Sequence, residues 1–266
     1  MTGATLRSDR SDVNHMRSVS VALGVLEAVS ERQPVGVSEL SRAMQLPKST
    51  AQRMLLTLGE LGWIRASPEE PTRWSLTTKA QAIGSRHRGQ EEIRHIALPA
   101  MHGLSATTGE TVHLSVPEDR RIVLLDKIEG EHPVRTHTEV GRSAPLHTTA
   151  SGKAVLAAMP PAQAAALLGA APLEALTDHT DTDVEAILQE LEGVRRHGYA
   201  VAVGTRHPDV AAVGAAILSE PGQPVATLSL SLPSQRFPRR LWPVYGEQVA
   251  RAAAECSRQL GWDPLP

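Results

Sequence analysis

The whole chain contains a single cysteine, Cys256. An internal disulfide is therefore excluded, and so is a metal site built on paired cysteines. Long apolar runs are missing too: no stretch reaches the ~18 consecutive apolar residues of a membrane span. The opening residues, MTGATLRSDRSDVNH, lack the apolar centre of a signal peptide. Neither charge sign dominates, since the formal net charge is −2. These absences leave a cytoplasmic chain as the expectation. Apolar material for a core is present, 41% of 266 residues, which suits one large domain or two unequal ones.

The near-neutral total hides an asymmetry. Residues 1–95 carry 13 Lys and Arg against 10 Asp and Glu, and residues 96–266 carry 14 against 19. A basic front on an acidic body fits a nucleic-acid-binding head whose body stays off the DNA.

Residues 1–14 are polar and read as a flexible arm, in which Arg7 and Arg10 are candidate phosphate contacts. From Val19 the pattern turns helical, with Val21, Ala22, Val25, Leu26 and Val29 on one stripe. Gln33-Pro34 stops that helix. Val35 to Val37 reads as a short strand, and Ser38 as the N-cap of a second helix faced by Leu40, Ala43 and Met44. Pro47 suits the first position of a third helix, having no N–H to leave unpaired.

That third helix, PKSTAQRMLLTLGELG, has an expected buried stripe of Ala51, Met54, Leu55, Leu58 and Leu61. Lys48, Ser49, Thr50, Gln52 and Arg53 gather near its N-terminal end, the end of a recognition helix that enters the major groove. Arg and Gln can pair with base edges, while Ser, Thr and Lys reach phosphates. Gly62 to Ala66 and Arg73 to Leu76 read as two strands joined by the loop SPEEPT. Three helices and a hairpin make a winged helix-turn-helix over residues 15–77. Arg65 and Arg73 flank the wing as candidate backbone contacts, whereas Glu69 and Glu70 at its tip would be repelled by DNA.

Residues 78–96 read as a linker helix. From 97 to 266, helix-like runs (Leu98 to Thr107, Ala150 to Met159, Val184 to His197, Arg239 to Leu260) alternate with strand-like ones. The expected strands are Thr111 to Val116, Ile122 to Ile128, Val134 to Thr138, Tyr199 to Val203, Val213 to Leu218 and Pro224 to Leu232. Such mixing implies one α/β or α+β domain around a sheet, in a chain that is α+β overall.

Two segments carry a resemblance: LPKSTAQRMLLTLGELGWI (Leu46 to Ile64) and VGRSAPLHTTASGKAVLAAMP (Val140 to Pro160). With TGETVHLSV, VRRHGYAV and TLSLSLPSQR, they make the chain closely resemble the IclR family of bacterial transcriptional regulators, from about Val19 to Leu260. The resemblance implies a winged helix-turn-helix, a linker helix and a GAF-like effector-binding domain. It also implies pairing through the N-terminal region into a homodimer, often a dimer of dimers, with operator DNA and a small effector as partners. Neither catalysis nor a cofactor is implied. Carried over position by position, the effector pocket would use Ala150, Ser151, Ala202, Ala212, Ser229 and Ser231. The run AVAVGTRHPD departs from the family pattern, and Ala202 stands where some members have an aspartate. A more apolar pocket, and an aromatic or medium-sized organic acid as effector, are expected from that.

Other chemistries fit poorly. TASGK is not a phosphate loop, because His147 stands where its first glycine belongs and Ala154 where Ser or Thr would bind magnesium. Ser151 in A-S-G lacks the flanking glycines of a nucleophile elbow; it reads instead as opening a helix whose N–H groups can hold a carboxylate. Eight of the eleven histidines lie beyond residue 96, without the paired spacing of a metal site. His113, His137 and His147 read as satisfied structural side chains, with polar contacts to an effector as the second reading. Two function classes stand: a ligand-responsive repressor or activator, and, as the alternative, a metabolite-binding sensor or enzyme whose front domain mediates protein contacts.

Overall fold

The computed structural model describes residues 16–68, 70–84 and 88–262. The expected arm, with Arg7 and Arg10, lies outside the described residues, as does Glu69 at the wing tip. The chain divides into two compact units, one ending at His87 and the other starting at Arg88.

The first unit is ordered α1 (Arg17–Arg32), β1 (Val35–Gly36), α2 (Val37–Ala43), α3 (Lys48–Glu60), β2 (Ile64–Ala66), β3 (Arg73–Leu76) and α4 (Lys79–Gly84). Its sheet runs β1-β3-β2, antiparallel throughout. The amphipathic stripes converge on one core: Val25 and Val29 of α1, Leu40 of α2, and Ala51, Leu55 and Leu58 of α3, closed by Ile64 and Trp74 of the hairpin. This is the winged helix-turn-helix expected from the pattern.

Its ends differ in detail. Gly36 is the N-cap of α2 and makes no side-chain bond, so Ser38 is a helical residue and not the cap. Pro47 is the N-cap of α3 with extended backbone, one place before the helix, where its missing N–H is equally harmless. Leu61 is 56% exposed, because the helix ends at Glu60 and Gly62, at φ 74°, turns the chain away from the stripe.

The second unit is ordered α5 (Arg88–Thr108), β4 (Thr111–Glu118), β5 (Arg121–Ile128), β6 (Ser143–Pro145), α6 (Ala150–Ala158), α7 (Pro161–Gly169), α8 (Val184–His197), β7 (Ala200–Val203), β8 (Val210–Glu220), β9 (Gln223–Pro233) and α9 (Trp242–Gln259). Across the span 78–96, expected as a linker helix, the described residues are helical at Lys79–Gly84 and again from Arg88, where α5 runs without a break through residue 96 to Thr108. The six strands form one antiparallel sheet, β6-β5-β4-β9-β8-β7.

Alternation along the strands gives the sheet two different faces. Leu114, Leu228, Leu230 and Val213 pack with Ala97 and Met101 of α5 and Val249 and Ala253 of α9. Cys256 of α9 is buried in the same cluster. Around α6, α7 and α8 a second cluster forms from Val155, Leu156, Leu168, Ile187 and Leu191. Two glycines let α6 sit close. A Cβ on Gly152 would overlap the Leu146 backbone, and one on Gly214 would come within 3.1 Å of the Ser151 amide nitrogen.

Candidate DNA interface and ligand cavity

On α3 the apolar stripe fixes which residues remain outside. Lys48, Ser49, Gln52 and Arg53 are exposed and Thr50 is half-buried. The first turn holds no acidic residue. Among the described residues the Arg53 guanidinium has no ion-pair or hydrogen-bond partner, and Arg65 on β2 is exposed in the same condition. Arg73 differs: its Nη1 donates to the Pro34 carbonyl at 2.8 Å and lies 3.5 Å from Glu39 Oε2. Its charge is already partly engaged within the unit, which was not legible from its position beside the wing.

In the second unit a cavity of about 130 Å³ opens between the N-terminus of α6, the strands and the segment 136–142. All six residues expected at the effector pocket line it: Ala150, Ser151, Ala202, Ala212, Ser229 and Ser231. Register explains the convergence. Ala202 pairs with Ala212, Ala212 with Ser231, Gly214 with Ser229, and Ser229 with His113, and residues paired in this way share a sheet face.

The hydroxyls are linked in pairs. Ser151 Oγ donates to Ser229 Oγ at 3.0 Å, and Thr136 Oγ1 donates to Ser231 Oγ at 3.0 Å. Thr149, rather than Ser151, caps α6; its Oγ1 accepts from Gly152 N at 2.9 Å. Lys153, which follows, is buried and tied to Glu190 at 2.7 Å.

The cavity is not the apolar one expected from Ala202. Arg142, Arg206, His113, His137 and His207 also line it. Arg206 is half-buried, and its guanidinium has no partner among the described residues. Burial first, then the charges of Arg121 and Arg142, lower its pKa from the usual value. His113 is pushed down to about 4, by burial first and then by Lys127 and Arg206.

The histidines also divide. His147 is satisfied, with Nε2 at 3.0 Å from the Glu174 carbonyl oxygen. His113 is not: its Nε2 is shielded from solvent and has no hydrogen-bond partner among the described residues. His137 is exposed, 3.9 Å from Glu129. Sequence reasoning missed Arg206 as a cavity residue and read His113 first as a structural side chain. The signal for His113 is the register that sets it opposite Ser229, which the strand pattern alone does not reveal. Among the described residues no cluster of three His, Cys, Asp or Glu could hold a metal ion, and no helix is long and apolar enough to cross a membrane.

Comparison with known proteins agrees with both units. Residues 18–68 match the family profile of the IclR helix-turn-helix domain, and residues 87–258 match that of the bacterial transcriptional regulator IclR C-terminal domain. The HTH-type transcriptional regulator KdgR of Escherichia coli (strain K12) is 31% identical over 249 residues, 94% of either chain. The crystal structure of the Thermotoga maritima IclR matches with a TM-score of 0.77 at 30% identity, over 93% of this chain and 100% of that one. An IclR homologue from Microbacterium hydrocarbonoxydans, complexed with 4-hydroxybenzoate, shares the fold with a TM-score of 0.75 at 24% identity, over 92% of this chain and 99% of that one. With a winged helix-turn-helix at the front, a curled-sheet domain behind it and family profiles over both, the chain belongs to the IclR family and is a DNA-binding, ligand-responsive transcriptional regulator.

Proposed function

We propose that the 130 Å³ cavity is the effector site, that its occupant is a small organic anion, and that occupancy sets the affinity for operator DNA. The observation that carries this reading is Arg206, a cation facing the cavity without a counter-ion among the described residues. Withdrawing a charge from water is costly unless it is paired, so an anion is the occupant that Arg206 favours. The N-terminus of α6, with Ala150 and Ser151, adds N–H groups and a favourable dipole at the same wall. Ser229 and Ser231 offer hydroxyls beside it, and Ala202 and Ala212 leave room.

On the DNA side, Lys48, Ser49, Thr50, Gln52 and Arg53 enter the major groove, with Arg65 on the backbone; Arg73 contributes through its position in the wing. A single helix of 13 residues reads few base pairs, so the protein acts as a homodimer on two half-sites. The second unit binds its ligand without turning it over, and the protein works in the cytoplasm beside its operator.

The test is a thermal-shift screen of organic and aromatic acids on the full chain, since a ligand that binds only the folded state raises apparent stability. A hit is then taken to calorimetry on wild type and on the Ser229→Ala, Ser231→Ala double variant, and to promoter binding. Weaker binding by the folded double variant, together with a ligand-dependent shift in DNA affinity, supports the reading. Equal binding by the double variant places the site elsewhere.

A further inference from the structure

We propose that the open edge of β8 at Ala216 is a docking groove for an extended, acidic segment of a partner protein, which pairs its backbone with Ala216 and lays its carboxylates against Arg196 and Arg251. This site is independent of the effector reading of the cavity.

Strand β7 stops short of its neighbour. It pairs with β8 only from Ala211 to Gly214, and the residues before it come from Gly198, the left-handed end of α8. β8 itself runs on to Glu220. One bond fixes which way each of its residues points. Gly204 N donates to the Val210 carbonyl, so Val210 turns its polar groups toward β7. Every second residue of a strand faces the same neighbour, which puts Ala212, Gly214 and Ala216 on that side. Ala212 meets Ala202 there, and Gly214 meets Ala200. Ala216 meets nothing: its N–H and its C=O have no hydrogen-bond partner among the described residues. One position further from β7 the same need is met internally, because Ser257 Oγ accepts from Leu218 N at 2.9 Å. Half-buried backbone groups are nearly always paired. An orphan donor and acceptor on one strand residue fit an incoming backbone, the strand-addition mode of peptide recognition.

The surroundings leave room for one. A groove of about 650 Å³ lies along this edge, walled by α6 and α8 on one side and by α9 on the other. Ala154 and Ala158 of α6 and Ala250 and Ala254 of α9 line it, side chains small enough for another backbone to come close. A helix would not serve, since its own N–H and C=O groups are already bonded to each other. Charge sets the kind of segment. Arg195, Arg196 and Arg251 line the groove with Glu247 as the one acid, on a part of the chain where acids outnumber Lys and Arg by 19 to 14. Arg195 is turned to the Ala157 carbonyl at 3.0 Å. Arg196 and Arg251 are exposed and have no ion-pair or hydrogen-bond partner among the described residues. A basic groove on an acidic body draws an acidic segment and repels a basic one.

The experiment selects a random library of peptides about six residues long, the length of an ordinary strand, on the full chain. Excess non-specific duplex DNA is present, so that the reading helix is occupied. Selected peptides should be rich in Asp and Glu, and one of them, with capped ends and a dye, is the probe for anisotropy. Arg196→Glu with Arg251→Glu changes two exposed side chains, should keep the melting temperature and should weaken the probe about tenfold or more, since attraction becomes repulsion. Methylating the amide nitrogens of the probe one at a time tests the strand on unaltered protein. One position should cost about tenfold, from the hydrogen bond lost to Ala216, and the positions beside it little. Amide exchange at Ala216 should slow about tenfold or more when the probe is bound.

A selection that returns no binder, or binders without an acidic bias, would overturn the proposal. So would a probe indifferent to the double reversal, indifferent to every N-methyl group, or without effect on exchange at Ala216. Sedimentation decides the remaining case: if the double reversal breaks up the wild-type assembly, the groove is filled by a second copy of this chain and the proposal falls.

Discussion

Arg53 shows how much one side chain can be asked to do. It stands exposed on α3, outside the stripe of Ala51, Leu55 and Leu58, and nothing among the described residues holds its guanidinium. Arg53→Ala should therefore keep the melting temperature and weaken operator binding by roughly 1–3 kcal/mol, the worth of a good base contact. Unchanged affinity at matched salt would remove Arg53 from the interface. In the second unit, His113 makes the ligand-free protein sensitive to acid. Its pKa falls from an ordinary 6.5 to about 4 on folding. Between those values the unfolded chain binds the extra proton and the folded one does not, so stability rises with pH across that window and is level above it. The loss on acidification from this residue is at most about 3 kcal/mol. Urea melts of wild type and His113→Gln should run parallel above pH 7 and converge or cross as pH falls toward 4. Parallel curves over the whole range would contradict the shift.

Elements, unlike residues, succeed or fail by their neighbours. Helix α6 is seated by Gly152, whose Cβ position is occupied by the Leu146 backbone. Gly152→Ala should lever α6 off the preceding turn, costing about 1–3 kcal/mol or more by overpacking and loosening the wall that carries Ala150 and Ser151. A thermal melt of the variant within a degree of wild type would refute this. Elements with contrast were legible in the sequence: α8, for example, runs Val184–His197 as its apolar spacing predicts, capped by Asp183 at one end and left at Gly198, φ 78°. Helix α7 was not legible, because PAQAAALLG has almost no polar face for periodicity to register. Val134 to Thr138 alternates like a strand yet joins no ladder. Arg236 Nη1 holds the Val134 carbonyl at 2.7 Å and Thr136 binds Ser231, so side chains do there what a strand partner would have done. The edge strand is β6 instead, where Pro145 is tolerated because an edge can spare an N–H. For the cavity, the six small residues came from the family resemblance, while Arg206 and His113 depend on which strands and turns meet, and no local pattern encodes that.

At the scale of the whole molecule, α1 bears on how many copies act together. Met16, Val19 and Leu23 form an exposed apolar line along α1, 69%, 50% and 55% accessible, a pattern that favours burial against a second chain. If this line is the seam of the proposed homodimer, Leu23→Asp should shift sedimentation from dimer toward monomer and weaken binding to a full two-half-site operator more than to a single half-site. A variant that stays fully dimeric would move the interface elsewhere. The lone cysteine offers a direct way to watch this. Cys256 is buried in the α9 cluster and its thiol is pushed up to about 11, by burial first, so at neutral pH it is a poor nucleophile. A thiol placed on the exposed start of α3, as in Ser49→Cys, would be the one reactive handle per chain without deleting the native residue. A spin label or dye attached there would report the separation of the two α3 helices in the proposed homodimer, with and without ligand, while Cys256 stays in place.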